Sequence, residues 1–262
     1  MDLHLRGKKV IVTGASKGIG LGIARAFAAE GADVVLCARS EEALKRAAAE
    51  IADVHGVTAY PFAADLSTAE GVAALASFGV ERLGRVDVLV NNAGAIPGGT
   101  IDSIDDDTWH RAYDLKLWGY VRLCKALLPR MKQQGGGVIV NIIGNAGRRP
   151  SAGYIAGGIA NAGLMNFTAG LAQEGGPYGV RVVAINPGPI RTDRHEELVL
   201  SRARARGVPV EEERAQAGAG IPLKRVGEVQ EVADVAVFLA SDRAGYVNGC
   251  VVPVEGGGTM AL

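Results

Sequence analysis

Val10-Ile11-Val12-Thr13-Gly14-Ala15-Ser16-Lys17-Gly18-Ile19-Gly20 is the stretch that decides the architecture. A short, continuously apolar run ends in a glycine-rich turn, and a helical pattern begins directly beyond it. The glycines permit a tight turn and a close approach of another group to the backbone. The helix N-terminus presents free N–H groups and the positive end of its dipole, so the junction is suited to hold an anion such as a pyrophosphate. A glycine pattern alone is weak evidence, and its weight here comes from lying on the first strand of an alternating chain.

Outward from that junction, apolar runs alternate with helical periodicity to the end of the sequence. The pattern predicts strands over Lys9–Val12, Asp33–Cys37, Thr58–Phe62, Val86–Asn91, Val138–Ile143, Val180–Asn186 and Cys250–Val254. Helices are predicted over Ile19–Glu30, Glu41–Val54, Thr68–Leu83, Asp106–Gln133, Gly158–Glu174 and Val229–Ala240. Short apolar strands separated by helices imply a parallel sheet covered on both faces. Right-handed crossovers then give an α/β fold, a single Rossmann-type doubly wound parallel sheet flanked by helices on both faces, spanning residues 1–262 as one domain. No linker or repeat divides the chain. The rhythm breaks only from Arg191 to Ile221, a polar, arginine-rich and marginally helical stretch. Residues 191–221 are a candidate substrate lid, or else a solvated surface excursion.

Composition narrows the partners. The 262 residues carry 28 basic and 28 acidic side chains, so no net field draws the chain to nucleic acid or to an anionic membrane. Cys37, Cys124 and Cys250 are far apart and sit in apolar contexts, which reads as reduced thiols in a reducing compartment. His4, His55, His110 and His195 have no metal-ligand spacing, so no metal is expected. No apolar run approaches membrane-spanning length and the N-terminus lacks a signal-peptide core, so a cytoplasmic location is expected.

Several segments together carry a family resemblance. Thr13 to Gly20 looks like the TGxxxGIG turn of the classical short-chain dehydrogenases/reductases, and Asn91-Asn92-Ala93-Gly94 is similar to that family's NNAG segment. Asp65-Leu66 resembles its adenine-contacting pair, and Asn186-Pro187-Gly188-Pro189-Ile190-Arg191-Thr192 resembles the PGxIxT segment that borders the nicotinamide. Arg225-Val226-Gly227-Glu228, Phe238-Leu239-Ala240-Ser241-Asp242 and Glu255-Gly256-Gly257 follow the family toward the C-terminus. The resemblance covers essentially the whole chain. It implies a dinucleotide held by Gly14, Ser16, Lys17, Gly18, Ile19, Gly20, Asp65, Leu66, Asn92, Ala93, Gly94, Pro187, Gly188, Ile190 and Thr192. It also implies a small-molecule substrate, a homodimer or homotetramer, and dimer faces on Asp106–Gln133 and Gly158–Glu174.

The second strand ends Cys37-Ala38-Arg39, where an NAD enzyme offers a carboxylate to the ribose 2′-hydroxyl. Arg39, helped by Lys17, instead suits a 2′-phosphate, so NADP(H) is expected over NAD(H), which stays possible. Ordinary surface cations are the alternative for both side chains.

The resemblance fails at the chemistry. Laid over the chain without gaps, the family's Asn-Ser-Tyr-Lys tetrad falls on Lys116, Gly144, Gly157 and Asn161. Two readings follow. The first is an NAD(P)(H)-dependent oxidoreductase that interconverts a carbonyl and an alcohol through a non-standard acid/base site. In it Tyr154 swings into the space that the glycines clear, Lys116 lowers its pKa, and Asn145 orients a carbonyl oxygen. The bland counterparts are an aromatic packed on a loop for Tyr154 and a partnership with Asp114 or another carboxylate for Lys116. The second reading is a non-catalytic dinucleotide-binding scaffold or sensor.

Overall fold

The computed structural model describes residues 1–258, apart from the side chains of 201, 202 and 205, so the last four residues of the predicted domain lie outside it. Seven strands form one sheet: β1 (Lys9–Thr13), β2 (Asp33–Ala38), β3 (Ala59–Ala63), β4 (Val88–Asn91), β5 (Gly137–Ile142), β6 (Val180–Pro187) and β7 (Val251–Val254). Their order is β3-β2-β1-β4-β5-β6-β7, and every neighbouring pair is parallel. Chain progression reverses between β1 and β4, so a crevice opens beyond their C-terminal ends, where such sheets bind ligands.

Alternation along each strand builds two cores. Val10 and Val12 of β1 face one layer with Ile23, Phe27, Leu44 and Val232, whereas Ile11 faces the other with Leu75, Leu123, Leu127 and Ile139. The first layer is covered by α1 (Gly18–Ala29), α2 (Glu41–His55) and α9 (Val229–Ala240), and the second by α3 (Ala69–Leu83) and α5 (Gly119–Gln133). Both faces of a strand are therefore apolar, which is why these strands read as continuous hydrophobic runs. The intervening helices α4 (Asp106–Tyr113), α6 (Ile155–Gly175), α7 (Asp193–Arg206) and α8 (Val210–Gln216) complete the described helical set.

Three differences from the sequence expectation bear on the site. The predicted helix Asp106–Gln133 is interrupted by a π-helical turn at Asp114–Trp118, which contains Lys116. Helix α6 begins at Ile155 rather than Gly158, because packing of its first turn outweighs the low helix propensity of Gly157 and Gly158. The marginal stretch at 191–221 contains two formed helices. Thr192 caps α7 through the His195 N–H, and ion pairs Arg206–Glu213 and Arg214–Glu196 join α7 to α8. No helix among the described residues is long and apolar enough to cross a membrane.

Candidate functional site

The glycine turn is a backbone cradle braced from the side. Gly14 and Gly18 adopt left-handed φ values of 65° and 59°, and α1 starts at Gly18. Gly20 sits behind the turn: a Cβ there would collide with the Gly14 carbonyl and the Asn92 amide, so helix and strand approach at a distance only glycine allows. The Thr13 hydroxyl accepts the N–H groups of Asn92 and Ala93 at 2.9 and 3.0 Å. Asn92 Nδ2 returns a bond to the Thr13 carbonyl at 3.0 Å. Deeper in the sheet, Asn91 donates to Asn141 and Asn141 to Thr168, each at 3.0 Å, so β4, β5 and α6 are locked together beneath the cleft.

A cleft of about 690 Å³ runs along these strand ends, within the range of roughly 300–1,000 Å³ usual for ligand sites. One end is formed by Arg39, Ser40, Ala64 and Leu66, the middle by Ser16, Lys17, Gly18 and Ile19, and the far end by Gly144, Tyr154, Pro187, Thr192 and Arg194. Gly14, Asn92, Ala93 and Gly94 line it as well. Asp65, Gly188 and Ile190 lie outside its lining. Asp65 instead accepts from the Ser67 N–H and hydroxyl, Ile190 is buried, and Gly188 packs closely on Glu255. The Ser67 hydrogen bonds hold the Asp65 carboxyl below its ordinary range, with a smaller effect from the Arg39 charge. Neither Arg39 nor Lys17 is engaged in a hydrogen bond among the described residues, so two exposed cations stand ready at the cleft. A cradle with no room for a side chain, a helix N-terminus and two exposed cations fit the phosphates of a dinucleotide.

At the far end, the Tyr154 ring occupies the space beside Gly157. A Cβ on Gly157 would lie within the Tyr154 ring, so the ring is folded back over the first turn of α6. It packs with Ile96, Trp109, Tyr113 and Ala160. The backbone around it is held by Gly99 N–H to Gly153 O at 2.8 Å and Tyr154 N–H to Ser151 O at 3.0 Å. Burial raises the phenol pKa, and a hydrogen bond and the charge of Arg194 oppose that rise.

Lys116 is buried, and its stem passes over Gly94. Its ammonium donates to the Ile142 carbonyl at 2.8 Å and approaches the Tyr120 hydroxyl at 3.1 Å. Desolvation, then the nearby Arg194 charge, lowers its pKa to about 7. The carboxylate partnership does not form: Asp114 pairs with Arg122 instead. Asn145 opens a short 3₁₀ turn beside Gly144 but does not line the cleft, and its buried Oδ1 has no hydrogen-bond partner. Asn161 is buried with its Nδ2 3.1 Å from where a Gly144 Cβ would stand. The expectations missed Arg194. Nothing in the sequence separates it from the other arginines of the 191–221 stretch, because only the docking of α7 brings it to the cleft.

Comparison with known proteins agrees over the full length. The family model described as Enoyl-(Acyl carrier protein) reductase matches residues 14–259. The 3-oxoacyl-(acyl-carrier-protein) reductase of Pseudomonas aeruginosa is 38% identical over 259 residues, which cover 99% of this chain and 100% of that protein. The structure of L-sorbose reductase from Gluconobacter frateurii, complexed with NADPH and L-sorbose, matches with a TM-score of 0.96 at 35% identity over 100% of both chains. A 7α-hydroxysteroid dehydrogenase complexed with NADH and 7-oxo glycochenodeoxycholic acid matches with a TM-score of 0.89 at 32% identity, over 100% of this chain and 98% of that one. Likeness at this level across entire chains, joined to the strand order and the glycine turn, assigns this chain to the short-chain dehydrogenase/reductase family of oxidoreductases.

Proposed function

We propose that this protein is an NADP(H)-dependent oxidoreductase that interconverts the carbonyl and alcohol forms of a small molecule, with Tyr154 as its proton donor. The observation that carries this reading is the Tyr154 ring folded over Gly157, which returns a phenol to the helix turn from which the family tyrosine is missing. The cofactor, when bound, supplies or accepts the hydride. Tyr154 transfers a proton to the carbonyl oxygen as hydride reaches the carbon, and takes it back in the reverse direction. Gly14, Gly18 and the α1 N-terminus hold the phosphates, and Arg39 with Lys17 favours a 2′-phosphate over a bare hydroxyl. Lys116 acts on the cleft as a fixed floor, tying the π turn to the end of β5. Its bonds run to Ile142 and Tyr120, so it does not serve as the partner of the phenol. Helices α7 and α8 form the substrate lid, since Thr192, Asp193 and Arg194 already line the cleft. Two copies pair through the α4–α5 and α6 helices, which would cover the exposed Trp118 and Ile159.

One fluorescence titration with NADPH and NADH, followed by turnover on a carbonyl panel, tests the assignment in wild type and two variants. Arg39→Ala weakens NADPH about tenfold or more while NADH changes little, as expected when a charge-assisted hydrogen bond is lost. Tyr154→Phe keeps NADPH affinity and loses turnover by about 10²-fold or more. Equal losses of both cofactors, or a fully active Tyr154→Phe, would refute the respective half of the proposal.

A further inference from the structure

A phenol that donates its proton leaves a phenolate, and that charge needs a counterpart. Residue 161, four beyond Gly157 on α6, is an asparagine. It is buried beside Gly144 and carries no charge. Lys116 holds the Ile142 carbonyl and the Tyr120 hydroxyl. The cation that reaches the phenol comes from elsewhere in the chain. Arg194, in the first turn of α7, lines the same end of the cleft as Tyr154, close enough for its charge to act on the phenol. Its Nη2 also donates to the Ile96 carbonyl at 3.0 Å, and Ile96 packs in the cluster that supports the Tyr154 ring. Among the described residues no carboxylate forms an ion pair with Arg194, so its charge is uncompensated beside the phenol. The other titratable or charged groups at this end are Lys116 from the π turn, Asp193 at the rim, and Tyr113, whose hydroxyl donates to the Ala156 carbonyl.

We propose that Arg194, carried in by the lid helix, is the positioning residue that orients the Tyr154 hydroxyl and stabilises its phenolate, so that the proton-transfer site is complete only when α7 is docked on the Ile96 loop. This rests on Tyr154 being the proton donor. In the reductive direction hydride adds to the carbonyl carbon and the carbonyl π pair moves onto oxygen. That oxygen takes the phenolic proton, and the phenolate is held by the guanidinium until solvent returns a proton. A planar guanidinium with several donors can bind the phenolic oxygen and the Ile96 carbonyl together, which the single ammonium of a lysine does less well. An adjacent cation favours the ionised phenol, and its removal disfavours it.

The test reads the phenol directly and does not require a known substrate. Full-length protein labelled with ¹³Cζ-tyrosine is titrated by NMR, and the Tyr154 signal is assigned by its absence in Tyr154→Phe. Arg194→Ala moves the Tyr154 titration to higher pH, and Arg194→Lys moves it part of the way. With a substrate in hand, the pH limb of kcat/KM for alcohol oxidation moves upward in Arg194→Ala, kcat falls about tenfold or more, and the KM for cofactor stays put. A Tyr154 titration unchanged in a folded Arg194→Ala protein overturns the proposal. A fully active Tyr154→Phe would instead sink the proton-donor reading, whatever the Arg194 variants show.

Discussion

At residue 157 the helix carries no side chain, and a ring from the preceding loop occupies that space. The absence of a Cβ at Gly157 is what admits the Tyr154 ring. Gly157→Ala is therefore expected to cost activity far more than stability. Alanine in the first turn of α6 gains up to about 1 kcal/mol of helix propensity. Its methyl group displaces the packed ring at an overpacking cost of about 1–3 kcal/mol, so turnover falls by about 10²-fold or more and thermal unfolding shifts to lower temperature by a few degrees. Undiminished turnover in that variant would show that the placement of the ring has no part in the chemistry. At this scale the residues at 116, 144, 157 and 161 were legible, since counting along the motifs reaches them. What fills the vacated space was not legible, because a side chain's direction depends on the packing of Ile96, Trp109 and Tyr113, which come from other parts of the chain.

At the scale of elements, α1 and α9 cross so closely that a Cβ on Gly22 would overlap a methyl group of Val229. Gly22→Ala sets a propensity gain of about 1 kcal/mol against an overpacking cost of about 1–3 kcal/mol. Net destabilisation in urea unfolding is expected, and Val229→Ala added to it should restore part of the loss, since the two sites share one contact. A Gly22→Ala variant more stable than wild type would mean the helices shift apart at no cost. The glycine turn, the strands and most helices were readable because a strand–turn–helix unit is written in local apolar periodicity. The lid was not. Its arginines and glutamates gave α7 and α8 little apolar face, and part of what holds them is ion pairs between the two helices, which form only once the helices pack side by side.

For the molecule as a whole, the buried Lys116 sets a pH dependence of stability. Its folded-state pKa of about 7 lies below its ordinary value of 10.5. Between those values the unfolded chain binds a proton that the folded protein does not, so stability rises with pH from about 7 upward. Below both values the two states are equally protonated and this dependence vanishes. Cys37 and Cys124 act oppositely: burial raises each thiol from 9.0 to about 12, so their contribution is lost as pH climbs above 9. Lys116→Met is expected to remove part of the rise in unfolding free energy between pH 7 and 9, on the order of a few kcal/mol. The Ile142 carbonyl stays satisfied by the Tyr120 hydroxyl at 2.8 Å, so the variant can keep its fold. An identical slope in wild type and variant would show that Lys116 titrates as if it were exposed.

By itself the sequence determined the sheet, the glycine turn and the residues that a gap-free reading of the family motifs sets at 116, 144, 157 and 161. Each of these is encoded in residues close along the chain, where strand and helix periodicity and the left-handed turns act over a few positions. Only the tertiary structure decided which groups gather at the far end of the cleft. Tyr154, Lys116 and Arg194 come from a loop, a π turn and helix α7, and their surroundings are set by the way those elements pack at the C-terminal ends of β4, β5 and β6. Burial, and with it the shifted ionisation of Lys116 and Tyr154, exists only once that packing has excluded water.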